Sequence, residues 1–179
     1  MGAEREMKKM EIYGKFTDGA RTALETAQQE AIAMGHSLIG SEHIFLGILR
    51  QEGGISTVFE KLNIDADLIR SKVLDLVGDG SGSGTKLLGF SQRTLQILEI
   101  SYAAARQLGK ENIGVDHLMV GILKEGKGIA VKILTDMGID LKQLEKSIME
   151  VSRKVDKEER KAREDEKSVL KKFGNDLTK

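Results

Sequence analysis

The sequence predicts an all-α protein built as two tandem four-helix repeats with pseudo-two-fold symmetry, and three observations carry that prediction. The 179 residues include 20 glycines, no proline and only 4% aromatics, so glycine turns punctuate a chain whose Ala, Leu, Ile, Glu and Lys favour helix over strand. The chain also repeats itself: Phe16, Leu24, Glu25, Gly35, Ile39, Gly40, His43, Gly47, Ile48 and Leu49 recur 74 positions later as Phe90, Leu98, Glu99, Gly109, Ile113, Gly114, His117, Gly121, Ile122 and Leu123. Apolar or small residues in each copy follow a 3.6-residue stripe. The copies span 16–77 and 90–152, the first being one residue shorter in its third helix, because Ile64-Asp65 and Ile139-Asp140 stand 75 apart.

The elements follow in order. Thr17 and Ser91 are N-cap residue types, and the stripes at 20, 23, 24, 27, 31, 34 and at 94, 97, 98, 101, 105, 108 give each copy its first helix, ended by Gly35 or Gly109. The second helix starts at Ser41-Glu42-His43 or Val115-Asp116-His117 and buries Ile44, Phe45, Ile48 and Leu49, or Leu118, Met119, Ile122 and Leu123. Gly47 and Gly121 lie inside it, where glycine costs about 1 kcal/mol against alanine; their recurrence predicts that another helix backbone passes close by. A short third helix (Ile55, Val58, Phe59, Leu62; Ile129, Ile133, Leu134, Met137) and a fourth capped by Asp65 or Asp140 complete the unit. The first helices of the two copies are expected to pack together.

Between the copies, Gly78-Asp79-Gly80-Ser81-Gly82-Ser83-Gly84 reads as a flexible surface tether, assigned to 78–89. It is not a phosphate loop, because Gly84-Thr85-Lys86 has the wrong order and follows a helix. Residues 1–14 are an N-terminal extension and 15–152 the double repeat. From Arg153 to Lys167 a charged run leaves almost no apolar stripe to bury and reads as a solvated helix or linker.

Lys+Arg and Asp+Glu balance at 28 each, which removes the basic excess of a general nucleic-acid binder. With no cysteine, thiolate catalysis, disulfides and cysteine-based metal sites are excluded. No apolar run serves as a signal or membrane span, so the expected address is cytoplasmic, with no membrane partner. His43 and His117 stand beside Glu42 and Asp116, but adjacent helix residues diverge by about 100° and no His-Glu-x-x-His occurs. They are read as packed or hydrogen-bonded histidines, with no metal and no cofactor. Met34, Met119, Met137 and Met149 are read as core filling. No carboxylate pair, nucleophile with its base, or phosphate loop points to an enzyme.

Several segments carry a resemblance: Tyr13-Gly14-Lys15-Phe16-Thr17, the run from Ile39 to Leu49, Ile113-Gly114-Val115-Asp116-His117, and Lys124-Glu125-Gly126-Lys127-Gly128-Ile129-Ala130. Together they resemble the N-terminal domain of Clp unfoldases, the ClpC type in particular. The tail from Leu170 to Thr178 looks like the segment that opens the first ATPase module in that family, so 153–179 is read as a charged linker and the start of a module this chain lacks.

The resemblance implies a non-catalytic, monomeric recruitment domain whose partners are protein substrates and adaptor proteins, with Clp ATPase modules and the protease in the full-length protein. A stand-alone adaptor that competes for the same substrates is the alternative. The resemblance also implies recognition of phosphoarginine at one site per repeat, carried onto Glu42 with Thr17 and Asp116 with Ser91. A phosphorylated guanidinium needs a carboxylate for its N–H fork and hydroxyl or backbone N–H donors for its phosphate. Asp116 is a methylene shorter than Glu42, Ser91 replaces Thr, and Val115 lacks the hydroxyl of Ser41, so the Glu42 site is expected to be the stronger.

Overall fold

The structure is a computed structural model that describes residues 14–80 and 86–177. The sequence expectations for 1–13, for 81–85 of the tether and for 178–179 lie outside the described residues. The first copy comprises α1 (Asp18–Ala33), β1 (Leu38–Ile39), α2 (Ser41–Leu49), α3 (Ser56–Lys61) and α4 (Ala66–Val77). The second comprises β2 (Gly89–Phe90), α5 (Gln92–Gln107), α6 (Val115–Glu125), α7 (Ile129–Asp136) and α8 (Leu141–Leu177). The all-α double repeat read from the sequence is the fold observed.

The caps follow the sequence. Thr17 Oγ1 accepts from Ala20 N and Ser91 Oγ from Thr94 N, both at 3.1 Å. Asp65 and Asp140 carboxylates accept from Leu68 N and Lys142 N at 2.8 and 3.0 Å. Gly35 and Gly109 end α1 and α5 in the left-handed region, both at φ 72°, where a Cβ would be strained.

A single continuous core runs through both copies, with Phe16, Phe45, Phe59, Ile69, Ile97, Leu118, Met119 and Ile122 among its fully buried side chains. The most extensive packing joins each first helix to the second helix of its own copy, α1 to α2 and α5 to α6. Gly47 and Gly121 make this approach workable. A Cβ on Gly47 would overlap the Ala23 carbonyl oxygen of α1, and one on Gly121 would overlap Ser101 Oγ and stand 2.7 Å from Ile97 O.

The expectation that the two first helices pack on each other is corrected. The seam is made by α2 against α6 and α7, with α1 laid on α6, α5 on α2, α4 on α7 and α3 on α8. Every residue from Ser41 to Ile48 is buried, and so is every residue from His117 to Leu123. The two second helices, buried along most of their length, therefore take the centre, and the amphipathic first helices flank them.

Two short parallel pairings cross between the copies. Leu38 and Ile39 pair with Gly89 and Phe90, and Phe16 pairs with Ile113. These are counterparts under the repeat, so the start of each first helix lies beside the start of the other copy's second helix.

The tether is not free at its described ends. Gly80 N donates to Met34 O and Leu88 N to Ser37 O, both at 2.7 Å, and a Cβ on Gly80 would run into the Gly35 backbone. The backbone groups of 34–39, left unpaired by the end of α1, capture it. Beyond the core, α8 continues unbroken through the charged run to Leu177. Among the described residues no helix is long and apolar enough to cross a membrane.

Candidate functional site

The crossed strand pairings settle which of the sequence-predicted residues come together. Ser91 N donates to Ile39 O at 3.1 Å and Thr17 N donates to Ile113 O at 2.9 Å. Ser91 therefore stands at the start of α2 with Glu42, and Thr17 at the start of α6 with Asp116. The pairing read from the sequence, Glu42 with Thr17 and Asp116 with Ser91, is corrected. Each cluster is built across the copies, because the strand before each second helix pairs with the segment before the other copy's first helix.

The two helix starts share one local design. Gly40 N–H donates to His43 Nδ1 and Gly114 N–H to His117 Nδ1, both at 2.9 Å. Each histidine thus reaches back to its own N-cap, as the acid of a capping box does. Glu42 and Asp116, at the second helical position, fold over the glycine N-caps. An ideal Cβ on Gly40 would lie 2.5 Å from a Glu42 oxygen, and one on Gly114 the same distance from Asp116 Oδ1. Both carboxylates thereby sit in the positive field of a helix N-terminus.

Their surroundings then diverge. Glu42 is 7% exposed, and burial raises its carboxyl above the usual value of 4.5, against the lowering influence of its own backbone N–H, His36, Arg93 and Ser41. The Ser91 hydroxyl is spent at both ends, accepting from Thr94 N and donating to Thr94 Oγ1 at 2.9 Å, which in turn donates to Ile39 O at 2.8 Å. Ser41 Oγ is buried and accepts from Ala130 N at 3.2 Å, capping α7 across the seam.

Around Asp116 the same positions leave room. Asp116 has a side chain 21% exposed and accepts a hydrogen bond from Ser152 Oγ of α8 through Oδ2. The Thr17 hydroxyl accepts from Ala20 N, and among the described residues no acceptor takes its proton. An open cleft of about 690 Å³ runs from Thr17 and Gly19 past Asp116 and Ser152 to Gln51 and Glu52. The Glu42 site, expected from the sequence to be the stronger, is the less accessible of the two. Sequence reasoning missed Ser152 and the cleft-lining pair Gly19 and Gln51. The signal for the latter was the repeat itself, which sets Gly19 opposite Arg93 and Gln51 opposite Glu125.

The arrangement offers a carboxylate, a hydroxyl donor and a helix start facing one water-accessible cleft, suited to a ligand with adjoining cationic and anionic groups.

The comparisons agree with the architecture. A model of the Clp repeat (R) N-terminal domain matches residues 15–127 and 89–172. The negative regulator of genetic competence ClpC/MecB of Bacillus subtilis is 31% identical over 141 residues, covering 78% of this chain and 17% of the relative. The crystal structure of the N-terminal domain of the chaperone ClpD from Arabidopsis thaliana superposes with a TM-score of 0.63 at 24% identity, covering 76% of this chain and 96% of that one. A complex of the ClpV N-domain with a VipB peptide superposes with a TM-score of 0.61 at 16% identity, covering 78% and 88%. This chain thus spans about a sixth of the length of its curated relative and nearly all of the solved N-domains. With both repeats matched by the family model and the fold in agreement, the chain belongs to the Clp repeat N-terminal domain family.

Proposed function

We propose that this chain is the recruiting domain of a ClpC-type ATP-driven unfoldase, which takes protein substrates and adaptors and performs no chemistry of its own. We further propose that its second-helix starts are phosphoarginine sites, the accessible one being that of α6 at Asp116 and its counterpart that of α2 at Glu42, with residues 153–179 leading toward an ATPase module. The observation that carries this reading is the Asp116 cleft, where an accessible carboxylate meets the Thr17 hydroxyl at a helix N-terminus. The guanidinium fork would face Asp116, and the phosphate would face Thr17 and the α6 N-terminus. Membership of the Clp repeat family supports the recruiting role, as does the solved ClpV N-domain bound to a peptide.

Calorimetric titration of the full chain with phosphoarginine tests the ligand assignment. Asp116→Ala should weaken binding by roughly ten- to a hundredfold, the worth of a charge-assisted partner at about 1.5–3 kcal/mol, while Glu42→Ala should weaken it less. No binding by the parent chain would remove phosphoarginine from the proposal. Failure of the domain, fused to a Clp ATPase ring, to increase substrate capture over the ring alone would remove the recruiting role.

A further inference from the structure

The second position of the first helix distinguishes the copies, being Gly19 in α1 and Arg93 in α5. Arg93 Nε pairs with Glu125 Oε1 at 2.9 Å, and the other Glu125 oxygen accepts from Lys127 N at 3.2 Å. The pair is asymmetric, with the Glu125 side chain 6% exposed and the Arg93 side chain 49%. It ties the start of α5 to the end of α6, and the Arg93 stem crosses Gly128, whose ideal Cβ would lie 3.6 Å from Arg93 Cδ and against Ser41 Oγ. Arg93 therefore runs past Gly128 on the side of Ser41, close enough for its charge to act on Glu42.

At the counterpart positions nothing equivalent forms. Gly19 has no side chain to reach across, and Gln51 Nε2 turns back to Gly47 O at 3.3 Å. Val115 supplies no hydroxyl to cap α3 as Ser41 caps α7, and α6 is held to α3 less closely than α2 is to α7. The cleft lies in that gap.

We propose that Arg93, held by Glu125, is a built-in strap over the Glu42 site, so that the domain presents one open site for a guanidinium-bearing ligand, at Asp116, and one closed. The residue at this single helical position sets which site is which. A guanidinium already beside Glu42 partly neutralises the carboxylate that an incoming guanidinium would seek, and repels the newcomer. This inference rests on the two helix starts being ligand sites, so its test has an arm that needs no ligand.

The chain has no cysteine, which permits single thiols as reporters. In the full chain, the thiols of Asp116→Cys and Glu42→Cys are reacted with a trimethylammonium methanethiosulfonate, after circular dichroism shows each variant folded. The thiol at 116 should react about tenfold faster than that at 42, in line with its more open surroundings. Adding Arg93→Ala, or Arg93→Gln where alanine impairs folding, should raise the rate at 42 severalfold. Adding Gly19→Arg with Gln51→Glu should lower the rate at 116; the Gly19 Cβ position meets only Val115 Cγ2 at 3.6 Å, so a side chain fits there. Equal rates at 42 and 116, or no change at 42 on removing Arg93, would overturn the strap. In the ligand arm, phosphoarginine should fill one site in the parent chain and two in Arg93→Ala. Two equal sites in the parent would also overturn the strap, whereas no binding to either chain would overturn the ligand assignment alone and leave the thiol rates to decide.

Discussion

His43 links the start of α2 to the end of α4 through a directed chain of hydrogen bonds, and that chain makes stability depend on pH with a definite sign. Gly40 N–H donates to His43 Nδ1, which fixes the neutral ring's proton on Nε2. That proton points to His36 Nδ1 at 2.7 Å, and His36 Nε2–H donates to Gly78 O at 2.7 Å. A proton added to the His43 ring at Nδ1 opposes the Gly40 N–H already in place. Burial, with the nearby His36 adding to it, lowers the His43 pKa from 6.5 to about 4. The Glu42 carboxylate stands 3.8 Å from His43 Nδ1, yet that nitrogen is an acceptor, so at neutral pH the contact is not an ion pair.

The folded state holds His43 neutral while the unfolded chain protonates it near 6.5. The resulting stability is complete above pH 6.5 and is lost as pH falls toward about 4. At 1.36 kcal/mol per pH unit, the loss across that window is about 3 kcal/mol. Urea unfolding at intervals between pH 7.5 and 4 should show this decline, and His43→Gln, whatever its effect at pH 7.5, should flatten it. Equal pH slopes in the parent and His43→Gln would refute the reasoning. Glu42 acts in the opposite sense: its raised pKa contributes stability that is present below 4.5 and lost as pH rises through its folded value.

Other outcomes follow from individual contacts. Glu42→Gln should stabilise the domain at pH 7 and lose that advantage below pH 4.5, as measured by paired melts. Gly47→Ala should destabilise by about 1–3 kcal/mol, since its Cβ meets the α1 backbone, where in a solvent-facing helix the same change would gain about 1 kcal/mol. Ser41→Ala should cost about 1–3 kcal/mol by orphaning the buried Ala130 N–H, whereas Val115→Ala, with no such bond to lose, should cost less. Chemical denaturation of each variant measures both.

The helices, their caps and the two close-approach glycines were legible because each is written in neighbouring residues: Thr17 and Ser91 before an apolar stripe, Gly35 and Gly109 after one, Gly47 and Gly121 inside one. The carboxylates at the second helix starts were legible for the same reason. The hydroxyl that accompanies each carboxylate was not, because it is fixed by a pairing between segments far apart in the chain, Phe16 with Ile113 and Ile39 with Phe90. A repeat shows that two units are alike and leaves open how they face one another. Two copies related by a two-fold exchange what lies at their seam, and a site assembled there takes one part from each. The tether misled for a related reason: Gly80 reads as flexible by composition, but only a glycine fits against the Gly35 backbone.

The departures between copies also acquire a different meaning once the seam is known. Val115 in place of Ser41 looks like a weakened ligand site if the Ser41 hydroxyl faces a ligand. It accepts from Ala130 N across the seam, so its absence at Val115 leaves the α6 side of the seam unbridged, beside the 690 Å³ cleft. Gly19 in place of Arg93 works the same way, since the missing side chain is the one that would cross the cleft. Duplication supplies two equivalent helix starts, and the substitutions fall where one copy's side chains close over the other's carboxylate. They therefore differentiate access to the two sites while leaving intact what builds the fold: the glycine N-caps, the back-bonded histidines and the apolar second helices.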